Sequence, residues 1–246
     1  MVATGERRPG VVLIHGAFHS AACWAPTVNE LERQAPDLAV LPVDLPGRGG
    51  TPADLRTVTL ASCVEHVVGE IDRVGLDPVV VVAHSLGGLT APAVVARLGA
   101  PRVARLVLIA AVIPPDGASD LDLMPQPARS VMARVLRPGR ERRPPARPLA
   151  RLFFCNGMNR EQRQLVYAQL TPEATNLFSE PVDRSGLPDA VPRTWVLTCR
   201  DRSMLPSKQR AAMRDLGRVD EVIELDTCHD AMVSQPDELA RVLLRR

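Results

Sequence analysis

A serine hydroxyl is a poor nucleophile until a base takes its proton, so a catalytic serine requires a histidine and a carboxylate to orient that histidine. The stretch Val79-Val80-Val81-Val82-Ala83-His84-Ser85-Leu86-Gly87-Gly88-Leu89 offers the serine. An apolar run leads into small residues around Ser85 and then into a segment with helical spacing, the context of a nucleophile elbow. Ser85 must occupy a strained turn, and only small neighbours at 83 and 87 let strand and helix approach closely. Ala83 stands where the first of two glycines is usual.

The base and the acid follow later in the chain. Asp201 lies just past the apolar run Trp195-Val196-Leu197-Thr198-Cys199, and His229 follows the next run in Asp226-Thr227-Cys228-His229-Asp230. If both runs are strands of one parallel sheet, the loops at their C-terminal ends converge on the edge that carries Ser85. Asp226 and Asp230 are the rival acids and are read as caps or surface charges. An oxyanion hole needs two N–H donors. Val12-Leu13-Ile14-His15-Gly16-Ala17-Phe18 ends a strand-like run at His-Gly, which assigns one donor to Ala17 and the other to Leu86. His15 is read as organising this loop, His84 as structural, His66 as a surface residue, and His19 as a contact with substrate or solvent. Phe18, His19, Trp24, Phe153, Phe154, Met158 and Met204 are expected to line a substrate pocket, with core packing as the alternative for each.

These residues need a scaffold. Apolar runs at Val11 to Ile14, Leu38 to Leu41, Val79 to Ala83, Leu106 to Ala111, Trp195 to Cys199 and Val219 to Leu225 lack in/out alternation, as strands buried on both faces do. Between them lie helical patterns at Pro26 to Gln34, Leu60 to Val74, Leu86 to Leu98, Pro206 to Leu216 and Pro236 to Leu244. The alternation predicts an α/β fold with a doubly wound, mostly parallel, six-stranded sheet. From Pro114 to Pro192 the alternation stops, and helical pieces near Arg129 to Leu136, Arg160 to Leu170 and Pro172 to Phe178 stand among proline-rich loops. This insertion after the fourth strand is too long for a loop and predicts a helical cap over residues 114–192, with the core formed by 1–113 and 193–246.

The chain has 246 residues, 46% hydrophobic and 24% charged, which fits one soluble domain. Net charge is only +2 and aromatics are 3%, so no nucleic-acid partner is expected, although all 30 basic residues except Lys208 are arginine. The basic, proline-rich run Arg137 to Arg151 is expected to be a solvated loop. No run reaches membrane-spanning length. Met1 to Gly10 carries charge without an apolar stretch, from which no secretory signal and a cytoplasmic location are expected. The five scattered cysteines are expected to be reduced, and no metal-ligand spacing or cofactor motif is present, so neither metal nor cofactor is expected.

With these residues identified, the chain resembles the α/β-hydrolases, more narrowly the branch of plant methylesterases and hydroxynitrile lyases with their bacterial relatives. The resemblance rests on His15-Gly16-Ala17-Phe18-His19 with Cys23-Trp24, on Asp44-Leu45-Pro46-Gly47-Arg48-Gly49, on Gly87-Gly88-Leu89-Thr90 after Ser85, on Leu197 to Arg202 running to Leu205-Pro206, and on Cys228-His229-Asp230-Ala231-Met232. It spans nearly the whole chain. It implies Ser85 as nucleophile, His229 as base, Asp201 as orienting acid, and the N–H groups of Ala17 and Leu86 as the oxyanion hole.

Two departures bear on the reaction. The cap has Phe153-Phe154-Cys155-Asn156-Gly157 where bacterial relatives often place an acid after an aromatic pair. The lyases use threonine and lysine where Gly16 and Asp230 stand here, which disfavours cyanohydrin cleavage. The expectation is a monomeric or homodimeric serine hydrolase acting on a small hydrophobic carboxylic ester or lactone. A lyase, cyclase or thioesterase of secondary metabolism, and a non-enzymatic ligand-binding protein, are the alternatives.

Overall fold

A computed structural model describes residues 8–245; most of the leading segment, on which the absence of a signal was read, lies outside them. In chain order the strands are β1 (Gly10–Ile14), β2 (Val40–Val43), β3 (Val79–His84), β4 (Val103–Ile109), β5 (Glu141–Arg142), β6 (Glu173–Ala174), β7 (Arg193–Thr198) and β8 (Glu221–Leu225). The α-helices are α1 (Ala25–Gln34), α2 (Leu60–Val74), α3 (Ala91–Leu98), α4 (Ala128–Val135), α5 (Arg147–Phe153), α6 (Arg160–Gln169), α7 (Asn176–Ser179), α8 (Pro206–Leu216), α9 (Ala231–Ser234) and α10 (Pro236–Leu243).

Six strands form one parallel sheet in the order β2-β1-β3-β4-β7-β8, as the alternating runs predict. Its central strands are buried on both faces. Val12, Ile14, Val81, Ala83, Leu106, Leu108, Trp195 and Leu197 point into one core, and Val11, Leu13, Val80, Val82, Val107, Ile109 and Val196 into the other. Two apolar sets offset by one residue are what the pleat produces from a continuous apolar run. None of the described helices is long and apolar enough to cross a membrane.

β4 begins at Val103 rather than Leu106, β8 begins at Glu221 rather than Val219, and α3 begins at Ala91 after a 3₁₀ turn at Ser85–Leu89. Besides these shifts, the expected boundaries need three corrections. β2 begins two residues later than Leu38, in register with Val11 to Ile14 of β1. Segment 114–192 is not free of strands, because β5 and β6, with α5 and α6 between them in the chain, pair as a short antiparallel two-stranded sheet. Pro172 to Phe178 is therefore not one helical piece: Glu173 and Ala174 are drawn into β6, and helix resumes only at Asn176. The third correction concerns Arg137 to Arg151, which is largely exposed but contains β5 and the opening of α5 and so is not wholly loop.

Segment 114–192 docks by polar ties as well as apolar ones. Glu180 accepts from the Leu60 N–H at the start of α2 at 2.7 Å, and the Asn176 side chain donates to the carbonyls of Arg56 and Val58 at 3.1 and 2.9 Å. Buried Arg48 and Glu173 form an ion pair between the β2–α2 loop and β6.

The turn after β3 is where backbone packing is tightest. A Cβ at Gly88 would meet the Val112 carbonyl oxygen at 2.6 Å, whereas a Cβ at Gly69, on the surface of α2, would meet nothing within 4 Å. Gly88→Ala is therefore expected to cost about 1–3 kcal/mol through overpacking, and Gly69→Ala to gain about 0.5–1 kcal/mol through helix propensity. Denaturant melts of the two variants beside the parent check this opposition of sign.

Candidate active site

β3 delivers Ser85 to the C-terminal edge of the sheet. Ser85 has φ 50°, a left-handed conformation costing on the order of 1–3 kcal/mol for a residue with a side chain. Its surroundings enforce that conformation. The Ser85 carbonyl accepts from Val112 N–H at 2.8 Å. A Cβ at Gly16 would lie 2.7 Å from Ser85 Cβ, and one at Gly87 would lie 2.8 Å from the His15 carbonyl oxygen. Both glycines are thus required by close approach, while the methyl of Ala83 fits within the core.

β7 and β8 deliver the partners. His229 Nε2 lies 2.9 Å from Ser85 Oγ, and His229 Nδ1 lies 2.7 Å from Asp201 Oδ2. Asp201 also accepts from the Thr198 hydroxyl and from the N–H groups of Ser203 and Met204, each at 2.8 Å. Burial opposes ionisation of Asp201, but the His229 charge and these hydrogen bonds outweigh it and hold the carboxyl below its ordinary range. The carboxylate therefore accepts from Nδ1–H, which leaves Nε2 free to accept from Ser85. For His229, burial disfavours the imidazolium, and the charge and hydrogen bond of Asp201, with Asp230 behind, more than compensate, so its value is raised. The stabilisation from Asp201 is in place above the ordinary carboxylate range and is lost as pH falls through its lowered value. That from His229 is in place below the ordinary histidine value and fades as pH rises through its raised one.

Asp226, the first rival acid, is exposed and paired with Arg200. Asp230 is no surface charge: its side chain is fully buried and lies 3.3 Å from His19 Nε2. His84 donates from Nε2 to the His229 carbonyl at 3.0 Å, holding the His229 backbone. Burial and the neighbouring His229 push it down to about 3, so it is neutral. His15 accepts at Nε2 from Leu45 N–H at 3.2 Å, so its proton sits on Nδ1, 2.9 Å from the Gly16 carbonyl. It too is pushed down to about 3, by burial and by Arg48.

Ala17, Leu86, Ser85 and His229 line one cavity of about 320 Å³. The Ala17 N–H donates to no protein group among the described residues, and that of Leu86 is one of the free donors of a helical first turn. Of the expected pocket residues, Phe18, Phe154 and Met204 line this cavity. The other four are corrected. His19 is buried against Asp230, and Trp24 and Met158 pack into the core on one face of the sheet. Phe153 is 40% exposed on the outer side of α5. Asp120, Lys208 and Asp215 were not foreseen and form part of the wall. Burial pushes the Asp120 carboxyl up to about 6, opposed by Lys208. That the sole lysine of the chain falls here is the one signal by which sequence could have found this wall.

His84, His229 and Asp230 bring one donor atom each within 4.8 Å of one another, a grouping that sequence spacing did not suggest. Both His229 nitrogens, His84 Nε2 and one Asp230 oxygen are committed to hydrogen bonds, so the cluster fits a proton-sharing network better than a metal site.

A parallel sheet with serine, acid and histidine at the C-terminal ends of β3, β7 and β8 is the architecture of a hydrolase scaffold. The chain matches the alpha/beta hydrolase family over residues 11–242 and belongs to that family. It is similar to the carbendazim hydrolyzing esterase of Nocardioides sp. (strain SG-4G), 26% identical over 238 residues, with 94% of this chain and 97% of that protein covered. Methylesterase 7 of Arabidopsis thaliana is 28% identical over 253 residues, covering 95% of this chain and 94% of its own. Among solved structures, an extracellular alpha/beta-hydrolase from a Paenibacillus species superposes with a TM-score of 0.83 at 24% identity, over 96% of this chain and 98% of that one.

The Arg48–Glu173 pair generates a stability prediction. Arg48→Met leaves Glu173 buried without a counter-charge and is expected to cost about 3–5 kcal/mol. The double replacement with Glu173→Gln recovers most of this, because no charge stays buried and glutamine still accepts from Phe18 N–H. Paired urea melts measure the recovery; a double variant no more stable than Arg48→Met contradicts it.

Proposed function

We propose that the chain is a cofactor-independent carboxylic-ester hydrolase working through an acyl-enzyme on Ser85. The observation that carries this is the unbroken relay Asp201–His229–Ser85 at 2.7 and 2.9 Å, opening on a cavity shared with two unengaged N–H donors. Ser85 Oγ attacks the acyl carbon while His229 Nε2 takes its proton. Ala17 and Leu86 donate to the oxyanion. His229 then protonates the departing alkoxide, and water repeats the steps to release the acid and free Ser85. Segment 114–192 acts as the cap of this site. Its Phe154 and Phe178, with Phe18 and Met204 from the core, give the cavity an apolar lining, and the size suits a small ester or lactone. Asp120 and Lys208 add a polar end that a purely hydrophobic substrate would leave unsatisfied. The esterase and methylesterase names of the relatives agree with this reading. A cytoplasmic monomer or homodimer is the accompanying proposal, in keeping with five unpaired cysteines.

Ser85→Ala is expected to abolish labelling by a fluorophosphonate and to lower aryl-ester turnover by about four orders of magnitude or more. Labelling mapped by mass spectrometry to another serine would overturn the assignment.

The pH profile tests the base. His229 must be neutral to accept a proton, and its value is raised, so kcat/KM is expected to rise with pH through one ionisation above the ordinary value of about 6.5. Asp201→Asn should lose most of the activity at every pH, because the amide favours the wrong histidine tautomer. Asp226→Asn should follow the parent curve. An inflection that survives unshifted in an active Asp201→Asn would show that another group controls the rate.

A further inference from the structure

His19 sits between two acceptors. Its Nδ1 is 2.7 Å from the Ala17 carbonyl oxygen and its Nε2 is 3.3 Å from Asp230 Oδ2. A carbonyl oxygen only accepts, so Nδ1 carries a proton. A fully buried carboxylate requires a cation, and the histidines around Asp230 differ in their capacity to supply one. His84 donates from Nε2 and has no partner at Nδ1, and His229 accepts at Nε2 from Ser85, so both are satisfied as neutral rings. Of the three, only His19 faces at both nitrogens a group that, with the carboxylate ionised, can do nothing but accept.

We propose that His19 is an imidazolium paired with the Asp230 carboxylate, and that the pair is a positioning device that fixes the Ala17–Phe18 peptide, anchoring the C-terminal side of the residue whose N–H, set from the other side by His15, meets the oxyanion. The peptide geometry supports this. Peptide units are planar, so holding a C=O sets the direction of the N–H across the same bond. The Gly16 carbonyl is held by His15, which sets the Ala17 N–H, and the Ala17 carbonyl is held by His19. Phe18 N–H donates to Glu173 at 3.2 Å, and the Phe18 carbonyl accepts from Thr171 N–H at 2.8 Å. Of the backbone N–H and C=O groups of Ala17 and Phe18, only the Ala17 N–H is thus left without a partner among the described residues. Charge agrees with geometry. Burial opposes both ions, yet Asp230 holds His19 above its ordinary value, and His19, with His84 and His229, holds Asp230 below its own. Cys23, Cys155 and Cys228, which also face Asp230, are all pushed up by burial and stay neutral.

The inference rests on Ala17 N–H serving an oxyanion, but its charge state can be read without turnover. In the full chain labelled with ¹⁵N-histidine, NMR at a pH above the His229 inflection of the rate profile is expected to show two ring N–H protons and an imidazolium pattern for one buried histidine. That signal should vanish in His19→Asn. His15 should show one proton at Nδ1 and His84 one at Nε2. Asp230→Asn keeps the acceptor and removes the charge, so His19 should lose one ring proton. For a short aryl ester kcat should then fall by about 10-fold, short of the ~10²–10³-fold lost when an oxyanion donor is removed outright, with KM changed by less than about twofold. Should Asp230→Asn not fold, His19→Asn carries the kinetic arm. A neutral His19 in the parent, or a deprotonated His19 with undiminished kcat, overturns the proposal. Failure of the parent to take a fluorophosphonate at Ser85 would instead overturn the hydrolase reading, leaving the histidine spectrum as an independent result.

Discussion

Close backbone packing where β1 meets the turn after β3 is the constraint on which the site depends. Gly16 and Gly87 bring the His15-Gly16-Ala17 turn against Ser85 with no room for a methyl on either side. That contact holds Ser85 at φ 50° and presents Ala17, Leu86 and Ser85 to one cavity. The strain is tolerable because the sheet around it is buried on both faces, so the turn cannot relax without disturbing β1, β3 and β4 together. Site geometry and core packing here are one problem, which is why the chain uses glycine at 16, 87 and 88 and an unbroken valine run at 79–82.

Around this apolar frame lie two buried ion pairs, Arg48–Glu173 and His19–Asp230. Buried pairs seldom add net stability, since desolvation consumes most of the Coulomb gain. What these two provide is position. Arg48 orients Glu173, Glu173 holds Phe18 N–H, and Phe18 is the other strained non-glycine residue of the site, at φ 62°. The His19 side holds the preceding carbonyl. An apolar substitute of equal volume could match the energy of either pair but could not direct a peptide plane.

Much of this arrangement was legible from residue types. The parallel sheet and the order of serine, acid and histidine follow from apolar runs and from polar residues at their ends, because a strand buried on both faces tolerates nothing else. The edge strands were harder to bound. β8 carries Glu221 and Glu224 toward solvent, and β2 is only half-buried, so periodicity there blurs. The pair of β5 and β6 was invisible because two-residue strands carry no period. Pocket residues were the least legible: Trp24 and Met158 have the same apolar character as Phe154 and Met204, and only tertiary placement separates core from cavity. Asp230 resembled a surface charge because its partner, His19, is distant in sequence.

The cap-side contacts change what segment 114–192 means for the site. A cover that only excluded water would need apolar residues facing the cavity, and Phe154 and Phe178 meet that need. Yet Thr171 and Glu173 bond the two sides of Phe18, and the Thr171 hydroxyl donates to the His19 carbonyl at 3.3 Å. Displacing β6 would therefore do more than open the cavity. It would free Phe18 to leave its left-handed conformation and take with it the peptide that flanks the Ala17 donor. Segment 114–192 and the Ala17–Phe18 turn are held together by the same few hydrogen bonds, so the turn keeps its geometry only while β6 stays docked.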